Sequence, residues 1–123
     1  MDGIKVIHDS QSIVYRSPFG AVEEGQKVKL SIDIDKEIVV AVELIQFDGT
    51  KINMGMKKEY LNNGNYRYSV KVDTEDALGV LGYYFILIDG YDRLYYGNND
   101  EHLGGIGQIY AYNPVPYQIT VYK

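Results

Sequence analysis

The chain of 123 residues contains no cysteine, no tryptophan and only three prolines. Without cysteine it has no disulfides, no thiolate metal ligands and no thiol nucleophile. Basic residues are also scarce, because 12 Lys and Arg stand against 17 Asp and Glu and the net charge is −5. An acidic chain without a cluster of Lys and Arg is a poor ligand for nucleic acid or an anionic membrane. We therefore expect neither as a partner.

Long hydrophobic runs are missing as well. The longest uncharged apolar stretch, Ala77 to Ile88, has 12 residues, whereas a membrane-spanning helix needs about 20. The first five residues show no basic stretch followed by an apolar run, so no signal peptide is indicated. At this length we expect residues 1–123 to form a single domain with its own hydrophobic core.

Tyrosine is unusually abundant, with 13 Tyr against 3 Phe. Its ring has an apolar face and a hydrogen-bonding tip, so it suits both a protein core and a surface that binds sugar or protein. Because tyrosine favours strands, we interpret most of these residues as structural.

Alternating apolar and polar residues predict strands almost throughout. The clearest examples are Lys27–Ile34, Tyr66–Val72 and Ile119–Tyr122. Two runs, Ile38–Phe47 and Val80–Ile88, are apolar on both faces, as in central strands that are covered on two sides. Either a neighbouring domain or loops of this chain could cover the outer face of these two strands, and the sequence does not decide between them.

Turn sequences separate the strands. Asp48-Gly49, Asn63-Gly64 and Asp89-Gly90 supply the positive φ that tight hairpins need. Three successive hairpins predict an antiparallel meander, and only Thr74–Leu78 has the pattern of a single helical turn. About eight short strands indicate an all-β fold, an immunoglobulin-like antiparallel β-sandwich.

Signatures of catalysis are absent from the sequence. It has no Gly-x-Ser-x-Gly elbow, no phosphate loop and no His-Glu-x-x-His. The glycine-rich Gly104–Gly107 opens no predicted helix, so a dinucleotide site is not indicated. His8 and His102 are the only histidines, and we interpret His8, followed by Asp9, as a structural residue that holds a loop through hydrogen bonds.

The segment from Gly97 to Pro116 is a long loop rich in Gly and Asn, of the kind that serves binding or an interface. The C–H groups of a pyranose lie well on an aromatic ring, while amides can bond its hydroxyls. Adjacent Tyr95 and Tyr96 point to opposite faces, so at most one belongs to the core. The candidate carbohydrate-binding residues are Tyr91, Tyr95, Tyr96, Asn98, Asn99, Gln108, Tyr110 and Tyr112.

An oxygen-rich run, Asn98, Asn99, Asp100 and Glu101, is a weak candidate for Ca²⁺, with Asn98, Asn99 and Asp100 as the candidate ligands, and a solvated turn is the simpler interpretation. Asp33 and Asp35 are weaker candidates still, because alternation points both carboxylates outward. Elsewhere, an apolar stripe on the outer face of a strand is a candidate interface. Its residues are Val39, Ala41, Ile45 and Phe47.

Five blocks in the same order run over nearly the whole chain: Ile7–Ser10, Tyr15–Val22, Tyr95–Asn99, Leu103–Gly107 and Pro116–Tyr122. Together they resemble the N-terminal β-domain that precedes the catalytic barrel in bacterial glycoside hydrolase family 13 enzymes. Those relatives are α-amylases, neopullulanases and amylopullulanases.

The resemblance implies an N-terminal fragment of a longer glycosidase, similar to carbohydrate-binding module family 34. The catalytic carboxylates of that family lie in the barrel, so the fragment itself is expected to be no enzyme. Such domains bind α-glucan (starch, pullulan or glycogen), pack on the barrel, or help form dimers, and some hold Ca²⁺. Two interpretations follow: a module that binds α-glucan weakly, or a structural domain that docks on the barrel or a second copy without binding sugar. The parent enzyme's compartment, cytoplasmic or secreted, stays open.

Overall fold

The structure is a computed structural model that describes Met1 and residues 3–123. This part of the chain contains twelve strands and no helix, so no helix that could cross a membrane is found in it. The strands are β1 (Val6–Ile7), β2 (Arg16–Ser17), β3 (Val22–Glu23), β4 (Lys27–Ile34), β5 (Val39–Ile45), β6 (Lys51–Gly55), β7 (Lys57–Tyr60), β8 (Tyr66–Asp73), β9 (Gly79–Asp89), β10 (Asp92–Gly97), β11 (Gln108–Tyr110) and β12 (Tyr117–Tyr122). Eight of them have four or more residues, in agreement with the number expected.

The strands form two sheets that enclose one core. Sheet 1 contains β1, β2, β4, β7 and β8, and sheet 2 contains β3, β5, β6 and β9 to β12. The long strand β9 organises sheet 2, because it pairs with β5 along one edge and with both β10 and β12 along the other. The expected immunoglobulin-like β-sandwich is confirmed.

The predicted meander is wrong, although all three predicted hairpins form. Gly49, Gly64 and Gly90 have φ values of 86°, 87° and 61° and connect antiparallel neighbours. The hairpins β5–β6 and β9–β10 lie in sheet 2, but β7–β8 lies in sheet 1. The chain changes layers at Met56, between β6 and β7, so successive hairpins alternate between sheets. One pair, β3 with β12, is parallel.

Alternation along the strands selects the core side chains. On β4 the residues Val28, Leu30, Ile32 and Ile34 are all fully buried, and each such side chain contributes about 1.5–3 kcal/mol on burial. Burial on both faces is confirmed for β9, where Leu81–Leu87 are all buried. On β5 this chain covers the outward residues only partly, and Val39 is 63% exposed, so cover of that face by a neighbouring domain stays a prediction. Strand β5 is central in hydrogen bonding, but its outer face has little side-chain cover.

A polar cluster of aromatic residues fills one region of the core. His8 is fully buried, with Nδ1 2.7 Å from the carbonyl oxygen of Ser31 and Nε2 3.0 Å from the hydroxyl of Tyr83. The rings of Phe85 and Tyr117 lie 4.7 and 5.0 Å from the imidazole. Burial lowers the pKa of His8 to about 4. The structural interpretation of His8 agrees with this arrangement, since a neutral imidazole is held between the sheets.

Asp33 points away from the core, as the alternation predicts, and it is held there by an ion pair. Its two oxygens accept bonds from Arg67 Nε at 2.8 Å and Nη2 at 2.9 Å, and the hydroxyl of Tyr15 donates to Oδ2 at 3.0 Å. The segment before β2 covers this part of sheet 1, so Asp33 is buried. The bond to Asp33 raises the pKa of Arg67.

The segment from Gly97 to Pro116 is not all loop, because β11 pairs with β10 inside it. Two glycines permit this close packing. A Cβ on Gly107 would lie 1.8 Å from the carbonyl oxygen of Gly97 and 2.3 Å from the hydroxyl of Tyr117. A Cβ on Gly97 would lie 2.3 Å from the carbonyl oxygen of Val115. These positions admit no side chain, because the segment between β10 and β12 packs directly against backbone there.

Candidate functional site

The outer face of sheet 2 brings two of the candidate sugar-binding residues, Tyr95 and Tyr110, close to the candidate interface residues of β5. Pairing across four neighbouring strands places Ala41, Ile86, Tyr95 and Tyr110 side by side. Residues in register share a face, and these alternate with the core residues, so all four lie on the outer side. Ile86 is buried here although it lies outside the main core. This face therefore has an apolar layer of its own.

A groove of about 420 Å³ crosses this face. It is lined by Glu43, Ile45, Lys51, Tyr84, Tyr95, Asn113 and Pro114. The rings of Tyr84 and Tyr95 meet edge to face, with centroids 5.9 Å apart and an interplanar angle of 79°. The hydroxyl of Tyr84 donates to Glu43 Oε2. The pKa of Tyr84 is raised mainly by burial and further by this hydrogen bond. The residues that position the groove thus belong to β5, β6, β9, β10 and the loop before β12.

The groove combines an aromatic ring with hydrogen-bonding side chains. Tyr95 is half-buried, so part of its ring is available to the C–H face of a pyranose. The carboxylate of Glu43 accepts hydrogen bonds from hydroxyls, while Lys51 and Asn113 can donate to them. Glycoside hydrolysis ordinarily uses a pair of carboxylates, and Glu43 is the only carboxylate among the described residues that line the groove.

An apolar depression of about 420 Å³ continues from the groove at Ile45. Its walls include Phe47, which is 76% exposed, and Val80. Gly82 forms part of its floor, since a Cβ there would lie 3.5 Å from side-chain carbons of Ile45 and Pro116. Phe47 thus lies at one end of a continuous surface and the tyrosine pair at the other.

The structure separates the two adjacent tyrosines as expected, because Tyr95 lines the groove and Tyr96 is 2% exposed. The Tyr96 hydroxyl donates to the carbonyl oxygen of His8 at 3.2 Å and accepts from the amide of Gly107 at 2.9 Å. Its ring therefore offers no face to a ligand. Tyr110 lies beside Tyr95, with its hydroxyl 2.5 Å from the carbonyl oxygen of Asn98.

Asn98 and Asn99 hold a tight loop together. Asn98 Oδ1 accepts from the amides of Asn99 and Gly104, both at 2.9 Å, and Asn99 Oδ1 accepts from Leu103 at 3.0 Å. A Ca²⁺ ion would have to displace these bonds to reach the amide oxygens, whereas Asp100 and Glu101 beside them are exposed. Within Met1 and residues 3–123, no group of three or more His, Cys, Asp or Glu is placed to hold a metal.

The remaining sugar-binding candidates do not line the groove. Tyr91 is completely exposed in the turn between β9 and β10, and Tyr112 and Gln108 are exposed on the last long segment. Of the groove residues, sequence analysis named only Tyr95 and, as part of an interface, Ile45. Glu43 could have been found, since it is the one charged residue in the apolar run Ile38–Phe47.

The fold and this surface define the class of protein: an immunoglobulin-like β-sandwich domain with an aromatic groove on one sheet. No family model matches the chain. It is 34% identical over 120 residues to an amylopullulanase of Thermoanaerobacter thermohydrosulfuricus, a match that covers 94% of this chain and 8% of that protein. It is 32% identical over 120 residues to an amylopullulanase of Thermoanaerobacterium saccharolyticum, covering 94% and 9%.

Among solved structures, a cyclomaltodextrinase superimposes with a TM-score of 0.66 at 14% identity, covering 92% of this chain and 18% of that one. The chain is homologous to the N-terminal region of amylopullulanases, and the cyclomaltodextrinase shares its fold. It spans less than a tenth of the length of the amylopullulanases it matches.

Proposed function

We propose that this chain is a noncatalytic accessory domain of an α-glucan hydrolase and that the groove on sheet 2 binds α-glucan. Homology to amylopullulanases supports the first part, because their name implies action on glucans such as amylose and pullulan. The observation that carries the second part is the groove built from Tyr84, Tyr95 and Glu43. The exposed part of the Tyr95 ring can contact the C–H surface of a sugar, and the Glu43 carboxylate can accept from its hydroxyls, while buried Tyr84 packs against Tyr95 and bonds Glu43.

The groove supports weak binding. It is open to solvent, and half-buried Tyr95 offers only part of one ring. A dissociation constant of about 1 mM corresponds to about −4 kcal/mol, which a few such contacts can supply. We therefore expect maltooligosaccharides to bind with millimolar or weaker affinity.

The test is a titration with maltoheptaose followed by NMR. In the wild-type domain we expect saturable shifts of Glu43, Tyr84 and Tyr95, and Tyr95→Ala weakens binding at least about 5-fold, because a lost aromatic contact is worth roughly 1 kcal/mol. Tyr91→Ala is the matched control, since that ring is fully exposed outside the groove. If the groove residues do not shift, or if Tyr91→Ala weakens binding as much as Tyr95→Ala, glucan binding in this groove is refuted.

The hydrolase part of the proposal has a separate test. Purified residues 1–123 are expected to release no sugar from starch or pullulan, because the groove holds a single lining carboxylate where hydrolysis ordinarily needs two. Turnover by pure material, lost on Glu43→Gln, would contradict the noncatalytic assignment.

A second candidate function is docking against the catalytic barrel of the parent chain or against a second copy. The exposure of Phe47 and Val80, which line one depression on the outer side of sheet 2, favours it, because neighbouring exposed apolar side chains are typical of interfaces. In the parent chain, docking predicts that Phe47→Asp lowers the melting temperature while Ile13→Asp, at another exposed apolar position, does not. Equal effects of the two variants would exclude this surface as the interface, and sedimentation of the isolated domain distinguishes a dimer.

A further inference from the structure

Strand β2 carries a charged side chain into the sandwich. Arg16 is paired with Leu30 of β4, and residues in register share a face. Leu30 is a core residue, so Arg16 also lies on the inner side of sheet 1, where it is 5% exposed. Its guanidinium lies 5.8 Å from the centre of the Tyr83 ring. A cation thus occupies a position that alternation reserves for apolar residues.

Few protein groups balance the positive charge of Arg16. Nη2 donates to the carbonyl oxygen of Gly20 at 3.0 Å, but Nε is buried without any hydrogen-bond partner. The ion pairs in the described part of the chain do not include Arg16. Burying an arginine without a carboxylate costs several kcal/mol, and a ring contact offsets only part of it. Some other group is therefore needed to balance this charge.

A cavity of about 200 Å³ lies against Arg16, between the segment before β2 and the loop that follows β10. Its wall contains no Asp or Glu and includes Ser10, Asn98, His102 and Tyr117. The hydroxyl oxygen of Ser10 accepts from the amide of Gly105 at 2.8 Å, so its hydrogen remains to be donated. Asn98 uses its carbonyl oxygen for two backbone amides, which leaves its amino group as a donor.

We infer that this cavity binds a small oxyanion against Arg16, either a carboxylate or an inorganic anion such as sulfate or phosphate. The planar guanidinium donates in the geometry that carboxylates and phosphates accept. The volume equals that of several water molecules at about 30 Å³ each, which is enough for such an anion. This site shares no lining residue with the glucan groove and does not depend on the proposed function.

The test follows the Nε–H resonances of the wild-type domain, which has only three arginines: Arg16, Arg67 and Arg93. Sodium sulfate, phosphate and acetate are added, with sodium chloride at matched ionic strength as reference. We expect a saturable shift of Arg16 alone, because Arg67 is bonded to Asp33 and Arg93 is exposed. Saturation by acetate alone identifies a carboxylate site, and saturation by sulfate or phosphate identifies an inorganic one. A shift of Arg16 that tracks ionic strength as Arg93 does, under every salt, overturns the proposal and leaves water as the partner.

Melting temperature provides an independent measurement. With the effective anion at ten times its dissociation constant, the wild type is expected to melt about 5 °C higher than in chloride. Arg16→Met loses this rise, and Arg93→Met keeps it. An undiminished rise in Arg16→Met overturns the proposal. If Arg16→Met does not fold, the wild-type titration decides the question by itself.

Discussion

Protonation of His8 is expected to destabilise the domain strongly at mildly acidic pH. In the folded protein, burial lowers the pKa of this imidazole to about 4, whereas an unfolded histidine titrates near about 6.5. The unfolded state therefore binds the proton more readily, and stability falls as the pH falls from the unfolded toward the folded pKa. Above about pH 7 the contribution is complete.

The size of the effect follows from the two pKa values. Each pKa unit is worth about 1.4 kcal/mol. The difference of about 2.5 units between the folded and unfolded pKa of His8 therefore lowers the free energy of unfolding by about 3 kcal/mol at pH 4. Between pH 7 and pH 5 the loss is about 2 kcal/mol. Solvent does not weaken this effect, because the imidazole ring is fully buried between the sheets. A domain of this size has a total stability of about 5–15 kcal/mol, so the loss is readily measured.

The assay is urea unfolding at pH 5, 6 and 7 for the wild type, His8→Gln and His102→Gln. We expect His8→Gln to be less stable at pH 7 but to lose about 2 kcal/mol less than the wild type on acidification. His102 is exposed, so its variant is expected to keep the wild-type slope. Surface carboxylates also change the stability with pH; one example is Asp92, whose pKa is lowered by the N-terminal amine. Their contribution is the same in every variant, so it cancels when the pH slopes of the variants are compared. Identical pH slopes for the wild type and His8→Gln would refute the reasoning.

Urea unfolding also tests three packing features of the fold and the site. Gly107→Ala puts a methyl group against backbone and is expected to cost at least about 2 kcal/mol, whereas Gly55→Ala, with open space around its Cβ, costs under about 1 kcal/mol. Asp33→Ala breaks a partly buried two-pronged ion pair and costs about 2–3 kcal/mol, which is more than Lys58→Ala costs at an exposed pair. Asn98→Ala leaves two backbone amides without their acceptor and costs about 2 kcal/mol, with faster hydrogen exchange in its loop. Equal costs within either matched pair would contradict the packing argument.

The period-two patterns determined most of the fold. They place Val28, Leu30, Ile32 and Ile34 on one face, and these residues are the centre of the core because a pleated strand sends alternate side chains to opposite sides. The Asp-Gly and Asn-Gly turns also form as predicted, since their geometry depends on local φ angles. The resemblance found in five short blocks agrees with homology to amylopullulanases over 94% of the chain.

Tertiary structure alone decided how these pieces are assembled. Which sheet a hairpin joins depends on distant pairing, so the change of layer at Met56 carries no local pattern. The groove combines Glu43 of β5 with Tyr84 of β9 and Tyr95 of β10, which become neighbours only through strand register. Likewise, Arg16 enters the interior because β2 pairs with β4, a long-range contact that the residues around it do not specify.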